Sequence, residues 1–254
     1  MRFALKFAYD GKGFFGYSRQ PNLKTVEGEI LKILIKNEII DDTKKSFFRS
    51  ASRTDKGVSA FCNVVSFNSP FSKNQIIDIL SDGFEDIVFY GIANVNKDFN
   101  PRYAKFRHYR YYLQKKNFEF EKIIKTTMCF IGKHDFSNFA RVEEFKNPIR
   151  EIENIVLTEH NSFLIIDFFA QTFLWQQIRR IVSTIEKVSL KKITIREVVD
   201  ALANPDKNVD FGVASADYLI LKDMFFDIEF VYNKRQLSKL KRLQGRIISS
   251  FSHG

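Results

Sequence analysis

The hydrophobic pattern changes period repeatedly along the chain, and this limits the possible folds more than any other feature. Residues Arg2 to Tyr9 alternate, with Phe3, Leu5 and Phe7 on one face and Ala4, Lys6 and Ala8 on the other, as in a strand. Val26, Ile30, Ile33 and Leu34 then recur at helical spacing. They follow Thr25, which suits an N-cap, and Glu27 and Glu29 put carboxylates in the first turn. Strands are expected over Ser46 to Ala51 and Asn63 to Phe67, flanking a polar loop from Ser52 to Ser59. A helix over Asn74 to Leu80 leads to a strand over Ile87 to Val95. After the turn Phe99-Asn100-Pro101 comes a stretch rich in Tyr and Arg, Ala104 to Leu113.

The second half repeats the mixture. A helix over Phe120 to Ile131 precedes strands at Ile152 to Thr158 and Phe163 to Phe169, joined by a turn at His160-Asn161. Helices over Phe173 to Lys187 and Ile195 to Leu202 follow, then a strand over Tyr218 to Phe226 and a basic helix over Lys234 to Arg246. Strands joined both by hairpins and by helices predict an α+β fold with largely antiparallel pairing. There is no Pro/Ser-rich linker, so two domains would meet near Asn100 to Lys105 and pack closely: 1–104 and 105–254.

A chain of 254 residues can bury a substantial core in one or two domains, and its 28 Phe against a single Trp are expected mostly inside. The 40 Lys and Arg exceed the 30 Asp and Glu, for a net charge of +10. Such a chain attracts polyanions, of which nucleic acid is the commonest. Cys62 and Cys129 lie far apart in apolar stretches and are expected as buried thiols. His108, His134, His160 and His253 show no metal-binding spacing, so no zinc site is expected. No segment reads as a signal peptide or membrane span, and a reducing, cytoplasmic compartment is the expectation.

Two local motifs mislead. Gly11-Lys12-Gly13-Phe14-Phe15-Gly16 fits a dinucleotide fingerprint, but that fingerprint needs a helix opening directly at the loop. Here Tyr17 to Pro21 intervene, and the helix begins only near Val26. Asp210-Phe211-Gly212 echoes a kinase tripeptide, yet the chain contains no His-Arg-Asp.

The segment Arg49 to Phe67 carries the chemistry. Arginines, a Thr and Asp55 stand between two apolar strands, followed by Gly57, which permits a sharp turn. A carboxylate among cations can stay ionised while facing a polyanion, although an Asx-turn Asp with surface arginines has the same composition. Arg53-Thr54-Asp55-Lys56-Gly57-Val58-Ser59-Ala60 resembles the signature of the tRNA pseudouridine synthase A family. Seven further blocks resemble that family in order. They are Tyr9-Asp10-Gly11 with Phe15-Gly16 and Arg19-Gln20-Pro21, Thr25 to Gly28, Phe99 to Arg102, Arg107 to Tyr111, Gly132 to Phe136, Phe173 to Arg179, and Ala214 to Leu221. Departures are Ser52, Ser18, Ser215 and Tyr218, none of which removes a catalytic group.

The resemblance implies an α+β protein of two ferredoxin-like (RRM-like) halves packed around a largely antiparallel sheet, with the active cleft between them. It implies isomerisation of uridine to pseudouridine in the anticodon stem-loop, at tRNA positions 38 to 40, with no cofactor and no metal. Asp55 would act on the flipped nucleotide, Tyr109 would stack on the uracil, and Arg179 would pair with Asp55. Arg53 would fill the space the base leaves, and Leu219 would contact the substrate. The loop Gly11 to Gly16 and the cations Arg19, Lys105 and Arg107 are expected at phosphates. The expected partners are tRNA and a second subunit in a homodimer, with no membrane. A non-catalytic RNA-binding protein or tRNA chaperone on the same fold is the alternative; the trio Asp55, Tyr109 and Arg179 argues against it.

Overall fold

The computed structural model describes residues 1–81 and 86–253. The chain forms two compact units, Met1–Lys105 with Ile220–Gly254, and Phe106–Leu219. The chain from Ile220 onward thus folds with the first unit, whereas the sequence reading groups it with 105–254.

In the first unit, β1 (Arg2–Tyr9) lies between β3 (Ser59–Asn68) and β4 (Ile87–Asn94), antiparallel to both. The other edge of β3 takes β2 (Arg49–Ser50) antiparallel at one end and β10 (Leu219–Phe225) parallel at the other. A short β11 (Val231–Tyr232) pairs with β4. Helices α1 (Val26–Lys36), α2 (Lys73–Ile79) and α6 (Lys234–Ser249) belong to this unit. Thr25 caps α1 by accepting from the Gly28 amide at 3.3 Å, as its sequence position suggests.

The alternation in β1 sorts two environments. On one face Phe3 meets Phe67 at 6.4 Å between ring centres, and Phe7 meets Phe89 at 6.1 Å. On the other face the Lys6 ammonium sits 4.6 Å from the Phe230 ring centre, so a cation in a central strand is covered by aromatic surface. Arg2 is buried and donates to the carbonyls of Phe99 and Phe47, to Ser66 Oγ and to Asn68 Oδ1. It ties the Phe99-Asn100-Pro101 turn to the sheet.

In the second unit, β5 (Phe106–Gln114) pairs with β9 (Phe163–Ala170), and β9 pairs with β8 (Asn154–His160), all antiparallel. A separate ladder joins β6 (Gly132–Asp135) to β7 (Ile149–Ile152). The helices are α3 (Phe120–Met128), α4 (Gln177–Ser189) and α5 (Ile195–Ala203). Phe139 packs between Phe130 at 5.0 Å and Phe211 at 5.5 Å, which accounts for Phe211 of the kinase-like tripeptide as core.

Several elements differ from the sequence expectation. The strand over Ser46 to Ala51 shrinks to Arg49–Ser50, because Phe47 turns into the left-handed region at φ 47°. The strand over Ile152 to Thr158 splits, since Ile149–Ile152 pairs with β6 before Glu153 donates to the Phe169 carbonyl and the chain joins β9. Cys62 is buried, but Cys129 is only half-buried at the end of α3. No helix among the described residues is long and apolar enough to cross a membrane.

Candidate active site

Asp55 sits on the loop 51–58 between β2 and β3, and that loop is held from two sides. On β3, Asn63 is completely buried. Its Oδ1 accepts from the amides of Ser52 at 3.3 Å and Val64 at 2.8 Å, and its Nδ2 donates to the Ser52 carbonyl at 2.9 Å. A buried amide with donor and acceptor both used locks the loop where it leaves the sheet.

The second support is the glycine-rich loop. The Tyr17 amide donates to the Thr54 carbonyl at 3.1 Å, and the Tyr9 and Thr54 hydroxyls lie 2.8 Å apart. The Gly11 amide donates to Ser59 Oγ at 3.0 Å. A Cβ on Gly11 would stand 2.3 Å from the Val58 carbonyl oxygen, so no side chain fits there. Val58 in turn donates to the Asp55 carbonyl at 3.2 Å, closing a turn through Gly57 at φ 88°. Val58 is buried, Asp55 half-exposed and Arg53 exposed.

This geometry gives the loop Gly11 to Gly16 a structural part. The amides of Gly11, Lys12, Phe14 and Phe15 already donate to Ser59, Asp10, Gly11 and Lys24. Those four amides are spent within the fold, and the loop backs the Asp55 turn while its exposed residues Lys12, Gly13 and Phe15 face solvent.

The expected phosphate contacts occupy different settings. Arg19 is exposed and pairs with Glu27 at 3.3 Å, whose other oxygen accepts from Ser50 at 2.8 Å. Lys105 is exposed and pairs with Asp227 at 2.5 Å. Arg107 is buried, donates to the Gln171 carbonyl, and burial lowers its pKa.

Tyr109 lies on β5 of the second unit, buried, with its ring edge-on to Phe173 at 5.3 Å. The opposite face of β5 carries His108 and Arg110, both bonded to Asp167 of β9. His108 Nε2 is 2.6 Å from Asp167 Oδ1, and Arg110 donates to both carboxylate oxygens at 2.8 Å. Burial pushes the Asp167 carboxyl up, but the bonds from His108 and Arg110 prevail and hold it at about 2. Sequence reasoning missed this triad and Asn63. The signal was available in both cases: a polar residue inside an apolar strand, FLIIDFFA or AFCNVVSF, requires partners.

Arg179 is on α4, where its Nε donates to the Ala214 carbonyl at 2.8 Å and its own carbonyl accepts from the Ala214 amide at 3.0 Å. Helix α4 starts at Gln177 rather than Phe173 because Gln176 is left-handed at φ 61°. Gln177 Oε1 accepts from the Leu174 amide at 2.8 Å across this break. Leu219 is buried at the start of β10. Tyr218, one of the departures from the family pattern, joins an aromatic cluster with Tyr111 at 6.4 Å and Phe163 at 6.3 Å. Asp55 and Arg53 thus belong to the first unit, and Tyr109, Arg179 and Leu219 to the second.

The sequence pattern of a family described as tRNA pseudouridine synthase matches residues 128–227. Relatives extend the similarity to nearly the whole chain. The tRNA pseudouridine synthase A of Thermococcus sibiricus is 39% identical over 244 residues, covering 95% of this chain and 91% of that protein. The protein of the same name from Pyrococcus abyssi is 40% identical, covering 95% and 91%. That of Methanobrevibacter smithii is 36% identical, covering 95% and 89%. The chain belongs to the tRNA pseudouridine synthase family. A chain of the solved Cbf5-Nop10-Gar1 complex is similar at 13% identity and a TM-score of 0.38, over 85% of this chain and 50% of that one, too slight a likeness to bear on the fold.

Proposed function

We propose that the chain isomerises uridine to pseudouridine in tRNA, with Asp55 as the reacting carboxylate. The carrying observation is the Arg53-Thr54-Asp55 turn, immobilised by Asn63 on one side and Gly11, Tyr9 and Tyr17 on the other, with Asp55 half-exposed. Rigid placement of a charged group is what a carboxylate needs to act on a bound sugar.

In this reading the target uridine leaves the stack, at an unpairing cost of about a few kcal/mol. Asp55 attacks C1′ or removes a sugar proton, and the N1–C1′ bond breaks. The uracil turns and C5 bonds to C1′. On the first route this breaks the Asp55–C1′ bond, and on the second it is followed by return of the sugar proton from Asp55. The C5 hydrogen leaves as a proton while N1 gains one. Tyr109 stacks on the uracil, Arg179 pairs with Asp55, Arg53 occupies the vacated space and Leu219 contacts the base. Arg19 and Lys105 remain the phosphate contacts their exposure supports.

The finer readings are proposed with it: the anticodon stem-loop as target, a homodimer, a cytoplasmic setting, and two ferredoxin-like halves. The first half is supported by the succession β1-α1-β2-β3-α2-β4 with strand order β4-β1-β3-β2.

The test is tritium release from tRNA transcripts carrying 5-tritiated uridine, since forming the C5 bond expels that hydrogen. Wild type should release tritium and Asp55→Ala should not, while both retain tRNA on filters. Release by Asp55→Ala at the wild-type rate would remove Asp55 from the chemistry. Absence of release by wild type on total tRNA would defeat the reading.

A further inference from the structure

We infer that Trp175 and Arg141 form a stacking site for an unpaired nucleotide beside the uridine that is isomerised, which rests on the tRNA substrate proposed above. Trp175 is the only tryptophan in the chain and is 45% exposed. Tryptophan is highly buried on average, and this one presents an open indole on a basic protein. The Arg141 guanidinium lies over it, 4.4 Å from the ring centre. Backbone pairing sets the arrangement, because the two residues form a lone antiparallel bridge and the Arg141 amide donates to the Trp175 carbonyl at 2.8 Å.

The segment that presents Trp175 is held at several points. Arg107 holds the Gln171 carbonyl, and Gln177 takes the Leu174 amide. Gln176 is kept left-handed at φ 61°, a conformation that costs a residue with a side chain about 1–2 kcal/mol. That conformation and the Gln177 bond fix how the segment enters α4, and with it the placement of the indole.

The placement fits a neighbouring nucleotide. Phe173 meets the Tyr109 ring at 5.3 Å, and Trp175 follows two residues on, within about 7 Å of chain. A base would stack on the indole face turned away from Arg141, and the guanidinium lying over the other face can pair with the adjoining phosphate. The site would therefore grip single-stranded RNA next to Tyr109 regardless of the neighbour's identity.

With one tryptophan, indole emission reports this site alone. Substrate tRNA should quench it saturably, with the same midpoint as filter retention of that tRNA. Trp175→Phe should keep KM within about twofold of wild type in the tritium assay. Trp175→Leu, which fills similar space without a π face, should raise KM about tenfold with kcat little changed. Both the quench and this Phe-against-Leu difference are required. tRNA retention without a quench, or a quench with equal KM for the two variants, overturns the inference and leaves the isomerase reading intact. Failure of wild type to retain tRNA overturns both, and should the Trp175→Leu chain not fold, Trp175→Met, which also lacks a π face, takes its place in the comparison.

Discussion

At Gly11 the absence of a side chain decides whether the Asp55 turn can exist. Gly11→Ala places a methyl group 2.3 Å from the Val58 carbonyl, a backbone atom that cannot step aside alone. Urea unfolding should show a loss of about 1–3 kcal/mol, the usual cost of overpacking. Tritium release should fall further than the lost stability explains, because Val58 closes the turn that carries Asp55. Asp167 offers a test with a known sign. Its carboxyl is held at about 2 by His108 and Arg110 against burial, so it contributes stability in full above its unfolded value. That contribution is lost as pH falls through about 2. Asp167→Asn should cost on the order of 1–2 kcal/mol at neutral pH, and the gap to wild type should narrow between about pH 4 and pH 2. A gap independent of pH would mean that the triad does not hold the carboxylate ionised.

Among elements, those built from one local period were legible in sequence. Strand β1 and the cap of α1 follow the alternation and the Thr25 signal residue for residue. Helix α4 was misread at its start, since the left-handed Gln176 and the Gln177 side chain replace a helical turn that the apolar spacing allows. β6 went unseen because Gly132–Asp135 is mostly polar and exists only through its ladder with β7. Helix α6 contains Gly245 in its interior, exposed, where an added Cβ meets nothing within 4 Å. Gly245→Ala should therefore stabilise the protein by about 0.5–1 kcal/mol, through helix propensity alone. Thermal melts check this, and a lower melting temperature would refute it.

For the whole molecule the net charge of +10 matters more than any one cation. tRNA affinity should fall steeply with salt, each phosphate contact contributing about 0.7–0.9 to the slope of log K against log salt. Arg19→Ala and Lys105→Ala should each reduce that slope by about one contact. Arg107→Ala should leave it unchanged and lower stability instead, because that side chain is buried on the Gln171 carbonyl. Equal slopes for all three variants would remove Arg19 and Lys105 from the phosphate contacts. The sequence by itself determined the mixture of strands and helices, the caps, and the ordered blocks that carry the family resemblance. Each of these rests on residues a few positions apart. Tertiary structure alone decided that the glycine-rich loop backs the Asp55 turn, that Arg107 points to backbone rather than solvent, and that Asp167 gathers His108 and Arg110. Gly11 and Ser59 are 48 residues apart, and Arg107 and Gln171 are 64. Contacts closed over such distances leave no period in the chain, and only packing brings their partners together.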